Sequence, residues 1–254
     1  TIELIGKYKK DNSLFFQTLN FIENQNNVNI QDLKINFDKE YKISKFKKLN
    51  LKYFTNNGIN NDISVINKNK NYIIIGKVFD GIELIKDITD SNSNSNIFKN
   101  FNNLNSLFKV KIDKVYLDKK NFVNNLNGDF KVKRSKIIDL NLKSKFSEDE
   151  KFYILIKSTN NKETVTTLYS DRAVPFVKNY KFIKGFEDGF LDFESIKKNK
   201  TSRSRLKIDN FKVKEVPVLA KLLTLASLQG IADLLTGEGI RFTDFEMVFS
   251  NKDK

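Results

Sequence analysis

The residues best placed to do chemistry are four carboxylates, Glu187, Asp188, Asp192 and Glu194, in the stretch "GFEDGFLDFE". Two carboxylates flanking a sugar can hydrolyse a glycosidic bond. Here the acids alternate with Phe and Leu, which describes a solvated turn and strand face, and the sequence shows no second carboxylate pocket. A second set is Lys interleaved with Phe and Tyr in "YFTNN", "FKNFNN" and "KNYKFIKGF". Stacking aromatics beside a basic groove would suit single-stranded nucleic acid. The spacing is again that of ordinary strands, with Phe inside and Lys outside. The chain has no Cys and no His. That excludes thiolate nucleophiles, disulfides, imidazole or thiolate metal sites, and His-based triads. The "GEG" at 237–239 follows a helical pattern rather than a strand, the wrong context for a phosphate loop. No catalytic residue, metal or cofactor is expected, and an enzyme is the least favoured class.

The net charge of +14 and the pI of about 9.6 would suit an anionic partner. However, Arg, the preferred phosphate reader, occurs only at positions 134, 172, 203, 205 and 241. Heavy use of Lys, Asn, Ile and Phe together is what AT-rich coding produces, so nucleic acid is not the expected partner. Hydrophobic residues make up 39% of the chain, below the roughly 45–50% of ordinary globular domains. The core must be thin for the length, which suits an elongated, mostly single-layer structure.

Period-two alternation dominates. "FKKLNLKYF" puts Leu49, Leu51 and Tyr53 on one face, and "LFKVKIDKVYL" does the same for Phe108, Val110 and Ile112. The phase then slips by one to Val115 and Leu117, as a bulge causes. "KIIDLNLKSKF", "KFYILIKS", "FIKGFEDGFLDF" and "SRLKIDNFKVKEV" continue the pattern, the last with Leu206 and Ile208 on one face. Asn57-Gly58 and Asn127-Gly128 are expected hairpin turns, and "SNSNSN" at 91–96 a loop.

Three helices are expected. Asp80 can cap one over 81–88, and Ser170 can cap "DRAVPFVKNY", which Pro175 limits to about two turns. The third, 217–235, starts with Pro217 in its first turn and closes at Gly237. Leu219, Leu222, Leu223, Leu225, Leu228, Ile231, Leu234 and Leu235 make it apolar nearly all round, so it must be buried or lie against lipid. Lys221, Gln229 and Asp233 make it a poor membrane span.

The segment 206–250, "LKIDNFKVKEVPVLAKLLTLASLQGIADLLTGEGIRFTDFEMVFS", resembles the C-terminal signature of the AsmA-like superfamily, nearest to its large YhdP-type members. The matching elements are the strand at Phe211, then Val216-Pro217-Val218-Leu219, the apolar helix, and Gly237, Gly239 and Phe242 leading into a strand. "SDRAVPFVKNYKFIKGFEDGFLDF" at 170–193 resembles the preceding short helix and glycine-containing strand, and "GKVFDGIELIKDI" at 76–88 a further Gly, Asp and helix element. The likeness is strongest over 170–250, weaker over 70–145, and does not extend before that. "GFEDGF" departs from it by carrying acids where the family usually has a small or basic turn.

The resemblance implies a long curled β-sheet groove, hydrophobic inside and hydrated outside. It also implies phospholipid transport between the inner and outer membranes across the periplasm of a Gram-negative bacterium. The expectation is therefore one elongated β-groove region over 1–254: a curled antiparallel sheet with a few short helices, and the apolar helix 217–235 as plug or side wall. Leu49, Leu51, Tyr53, Phe108, Val110, Ile112, Leu206 and Ile208 would face the groove. A chain that begins with Thr1, has no signal-peptide pattern and stops soon after Phe249 is expected to be an internal piece, with its inner-membrane anchor outside it. The main rival is a structural or assembly module of the cell envelope that fills the same interior with its own side chains.

Overall fold

A strand satisfies its backbone only through neighbours, and this chain supplies them by laying almost every strand beside the one before it. The computed structural model describes residues 2–8, 14–22, 27–30, 35–40, 43–69, 71–84, 104–134, 136–159, 163–177, 184–215 and 239–252. The first strands, β1 (Ile2–Tyr8), β2 (Leu14–Ile22), β3 (Asn27–Ile30), β4 (Ile35–Phe37) and β5 (Ile43–Lys45), form a five-stranded sheet in which β2 pairs with β1, β3 and β4. Its Phe16 and Phe37 meet edge-on at 5.4 Å and pack against the main core.

The rest builds one eleven-stranded sheet in strict chain order. Its strands are β6 (Lys48–Phe54), β7 (Asn60–Lys68), β8 (Asn71–Asp80), β9 (Ser106–Tyr116), β10 (Phe122–Lys133), β11 (Lys136–Lys145), β12 (Lys151–Ser158), β13 (Glu163–Ser170), β14 (Lys184–Lys198), β15 (Thr201–Glu215) and β16 (Ile240–Lys252). The molecule is mainly β and this sheet is curled. It is mixed rather than wholly antiparallel, because β8 and β9 run parallel, with Tyr72 opposite Phe108 and Asp80 opposite Tyr116. A parallel step needs a crossover connection rather than a hairpin, and the chain between these strands is long enough to make one.

The alternation read from the sequence sets one face of this sheet. In β9, Phe108, Val110 and Ile112 are buried while Lys109, Lys111 and Asp113 are exposed, and the phase then moves to buried Val115 and Leu117. The slip is shared with β10, where buried Val123 and Leu126 flank Asn125 at φ 55. A second shared slip crosses β14, β15 and β16, marked by Asp188 at φ 60 and Asn210 at φ 54. Asn and Asp are the non-glycine residues that best tolerate positive φ, so they can sit where paired strands change phase together.

Two local expectations are corrected. Asn57-Gly58 does form the β6–β7 turn, closed by the Gly58 amide to the Thr55 carbonyl at 2.9 Å. Asn127-Gly128 does not turn; both residues lie inside β10, paired with β9 and β11. The alternation of Leu126, Gly128 and Phe130 overrides the dipeptide preference, because a turn there would strand Val123 and Leu126 outside the core. Of the helix expected to be capped by Ser170, the described part is α1 (Val174–Val177), which starts after Ala173 rather than at Ser170, its Phe176 and Val177 amides bonding to the Ala173 carbonyl, while 178–180 lie outside the described residues. Ser170 instead braces the approach, its hydroxyl donating to the Arg172 carbonyl at 2.7 Å. Residues 82–84 are helical, and the Ile82 amide donates to Asp80 Oδ1 at 3.1 Å, the expected cap. The 91–96 loop and the apolar helix at 217–235, with Pro217 and Gly237, lie outside the described residues.

Candidate functional site

The curled sheet presents one apolar face. A cross-strand row on it touches all eleven strands: Leu49, Val65, Ile74, Val110, Gly128, Leu142, Ile154, Leu168, Phe193, Leu206 and Met247. Apart from Gly128 every member carries an apolar side chain. At about 4.8 Å per strand the row spans roughly 48 Å. Each large aliphatic or aromatic side chain buried in it contributes ~1.5–3 kcal/mol relative to exposure.

A neighbouring row begins as an aromatic ladder. Phe46 stacks on Tyr72 at 5.0 Å, Tyr72 on Phe108 at 4.8 Å, and Phe108 on Phe130 at 4.5 Å. Burial pushes the Tyr72 phenol above its ordinary range. Farther along the sheet the same row becomes polar, passing Thr166 to Ser195 and Ser204, whose hydroxyls bond at 2.9 Å while buried. Ser144 leaves a buried hydroxyl oxygen without a hydrogen-bond partner.

Against β6 to β12 this face borders a cavity of about 590 Å³. Its walls are Val110, Ile112, Val115 and Leu117 of β9 and its continuation, Val123, Leu126 and Phe130 of β10, and aliphatic residues of β7, β8, β11 and β12. One end is polar. There Asp80 accepts from the Thr55 hydroxyl at 2.6 Å and the Asn57 amide at 2.8 Å. Asn61, 1% exposed, accepts from the Asp80 backbone amide at 2.6 Å. These bonds tie the β6–β7 turn to the end of β8. The cavity therefore joins a polar end, where β8 and β9 finish and β10 begins, to an apolar body reaching Phe130, Ile137 and Leu140.

All eight expected groove residues lie on this face. Phe108, Val110, Ile112, Leu206 and Ile208 are buried, and Leu49, Leu51 and Tyr53 are half-buried. Tyr53, Val110 and Ile112 line the cavity, whereas Phe108 belongs to the aromatic ladder and Leu206 and Ile208 to the core farther along. Gly239 leads into β16, where Phe242 stacks on Phe211 at 5.1 Å. The Asp80, Thr55, Asn57 and Asn61 cluster was not legible as a site. In a chain this rich in Asn, one buried Asn carries no distinguishing local signal.

The opposite face interleaves charges. Asp129 lies opposite Lys109, Lys131 opposite Asp139, Asp192 opposite Lys207 and Glu194 opposite Arg205. Arg205 binds Glu246 through two hydrogen bonds, of 2.8 and 2.9 Å. The four carboxylates of 187–194 fall here: Glu187 pairs with Lys214 at 2.7 Å, and Asp188 is exposed. Among the described residues there is no group of three or more potential metal ligands.

No family model matches the chain, and neither a curated protein nor a solved structure matches it.

Proposed function

We propose that this chain carries lipid: its apolar sheet face forms a trough in which acyl chains lie while headgroups stay in water. The observation that carries this reading is the apolar row crossing all eleven strands. Withdrawing an acyl chain from water is worth about 0.8 kcal/mol per CH₂. Successive strands offer side chains of similar character along the row, so a chain moving from strand to strand meets no deep trap. The mixed-charge outer face, with cations and carboxylates set against each other, suits hydration better than a phosphate-tracking groove. Together with the AsmA-like resemblance of 170–250, these features support bridge-type phospholipid transfer between inner and outer membranes in the periplasm.

A second reading is a structural module of the envelope whose interior is filled by its own side chains. One observation favours it: Leu168 and Val123 are 0% exposed, as expected of an ordinary core.

Native mass spectrometry with lipid extraction, followed by transfer of labelled phospholipid between vesicles, separates the two. The lipid reading expects co-purifying phospholipid and accelerated transfer. Both should be lost in Val110→Asp and Ile112→Asp, with the circular dichroism of the sheet showing whether the fold survives. Leu142→Phe, which fills the trough without adding charge, should slow transfer in a folded protein. A folded wild-type chain that carries no lipid and transfers none establishes the structural module.

A further inference from the structure

We infer that the cavity beside β6 to β12 is a site for a single-chain amphiphile, and that it selects a cationic head over an anionic one. The inference deepens the lipid reading and rests on it only in treating the inner face as a lipid-contacting surface.

The shape supplies the first half. From Val123 to Phe130 the β10 wall runs about 23 Å at ~3.3 Å per residue. Half of a bilayer's ~30 Å hydrocarbon core, or ~15 Å, is the depth of one acyl chain. A volume of about 590 Å³ with apolar walls therefore suits one extended hydrocarbon chain. Phe130 lies at the far end of this run and belongs to the stacked aromatic ladder, which makes a firm stop for the tail.

The chemistry of the other end supplies the second half. The polar lining there comes from Thr55, Asn56, Asn57, Asn61, Asp80 and Glu83, and no Lys or Arg is among the described residues lining the cavity. Asp80 is held in place by the Thr55, Asn57 and Ile82 donors, so it presents a fixed negative charge beside the apolar body. A carboxylate or bare phosphate head entering here would meet the like charge of Asp80, a residue lining this end of the cavity. An ammonium head would meet its complement, and amide and hydroxyl groups that can solvate it.

The test uses the full chain carrying Phe79→Trp, an aromatic exchange in the cavity wall that places a tryptophan in a sequence with none. Three probes share one hydrocarbon chain: the alkylammonium, the monoacylglycerol and the fatty acid. A saturable blue shift is expected with one ligand bound by native mass spectrometry, the ammonium binding about tenfold tighter than the fatty acid and the monoacylglycerol in between. Asp80→Asn should reduce that ratio severalfold. Glu83→Gln, at an exposed position, should reduce it less, with circular dichroism showing that each variant keeps its sheet. Equal or tighter binding of the fatty acid overturns the head assignment, and no saturable shift with any probe overturns the site. Amphiphile selection without vesicle transfer of phospholipid would keep this inference and remove the transfer reading. Transfer without head selection would do the reverse.

Discussion

At Gly128 the β10 backbone sits at φ 146, and a Cβ built there would stand 1.9 Å from the Asn141 carbonyl oxygen. The side chain is excluded both by the backbone conformation and by the facing strand. Gly128→Ala is expected to cost about 3 kcal/mol or more, measured by urea unfolding. Gly58→Ala is the control: its φ is 77 but nothing lies within 4 Å, so it should lose only about 1–2 kcal/mol. Tyr169 offers a pH test. Its hydroxyl donates to Asp171 Oδ1 at 2.6 Å, and that bond, then burial, pushes the phenol up to about 12. A phenol whose folded pKa exceeds its unfolded value of about 10 stabilises the fold fully below that value. The contribution is lost as pH rises from 10 towards 12. Tyr169→Phe should flatten this part of the melting-temperature profile against pH. An unchanged slope would show that the bond contributes nothing to stability.

At the scale of elements, the aromatic ladder fixes where strands meet. Phe108 is 5% exposed between Tyr72 and Phe130. It joins β8 and β10 at the parallel pairing of β8 with β9. Phe108→Ala should cost roughly 3–5 kcal/mol, and urea unfolding would show it. Phe108→Leu should recover much of this if burial dominates, and little if stacking does. Strand identity was legible for β6, β9, β11, β12, β14 and β15, whose segments alternate with period two in the sequence. The turn at Asn57-Gly58 was legible too, since its residues and its place between two apolar runs agree. At Asn127-Gly128 the same dipeptide signal failed because strand pairing on both sides outweighed it. The parallel step was invisible because strand direction leaves no mark on alternation.

At the scale of the whole molecule, the prediction concerns continuity of the apolar face. If phospholipid crosses this sheet strand by strand, a charge in one strand should block transfer wherever it is placed along the row. Leu206→Asp in β15 and Val110→Asp in β9 should therefore both abolish vesicle-to-vesicle transfer. Only the β9 change should also abolish single-chain binding, since Val110 lines the cavity and Leu206 does not. Transfer surviving in folded Leu206→Asp would confine any lipid path to the cavity end of the sheet.

The sequence by itself determined that the chain is mostly strand, which residues of β9 and β15 face inward, and that Cys and His chemistry is excluded. These properties belong to local periodicity and residue type. The tertiary structure alone decided that eleven strands join edge to edge in chain order, that β8 and β9 run parallel, and that rows of side chains line up across all of them. It alone brought Thr55, Asn57 and Asn61 to Asp80 at one end of an apolar cavity. Register and direction are set by hydrogen bonds between segments distant in sequence, and no single segment encodes its partner.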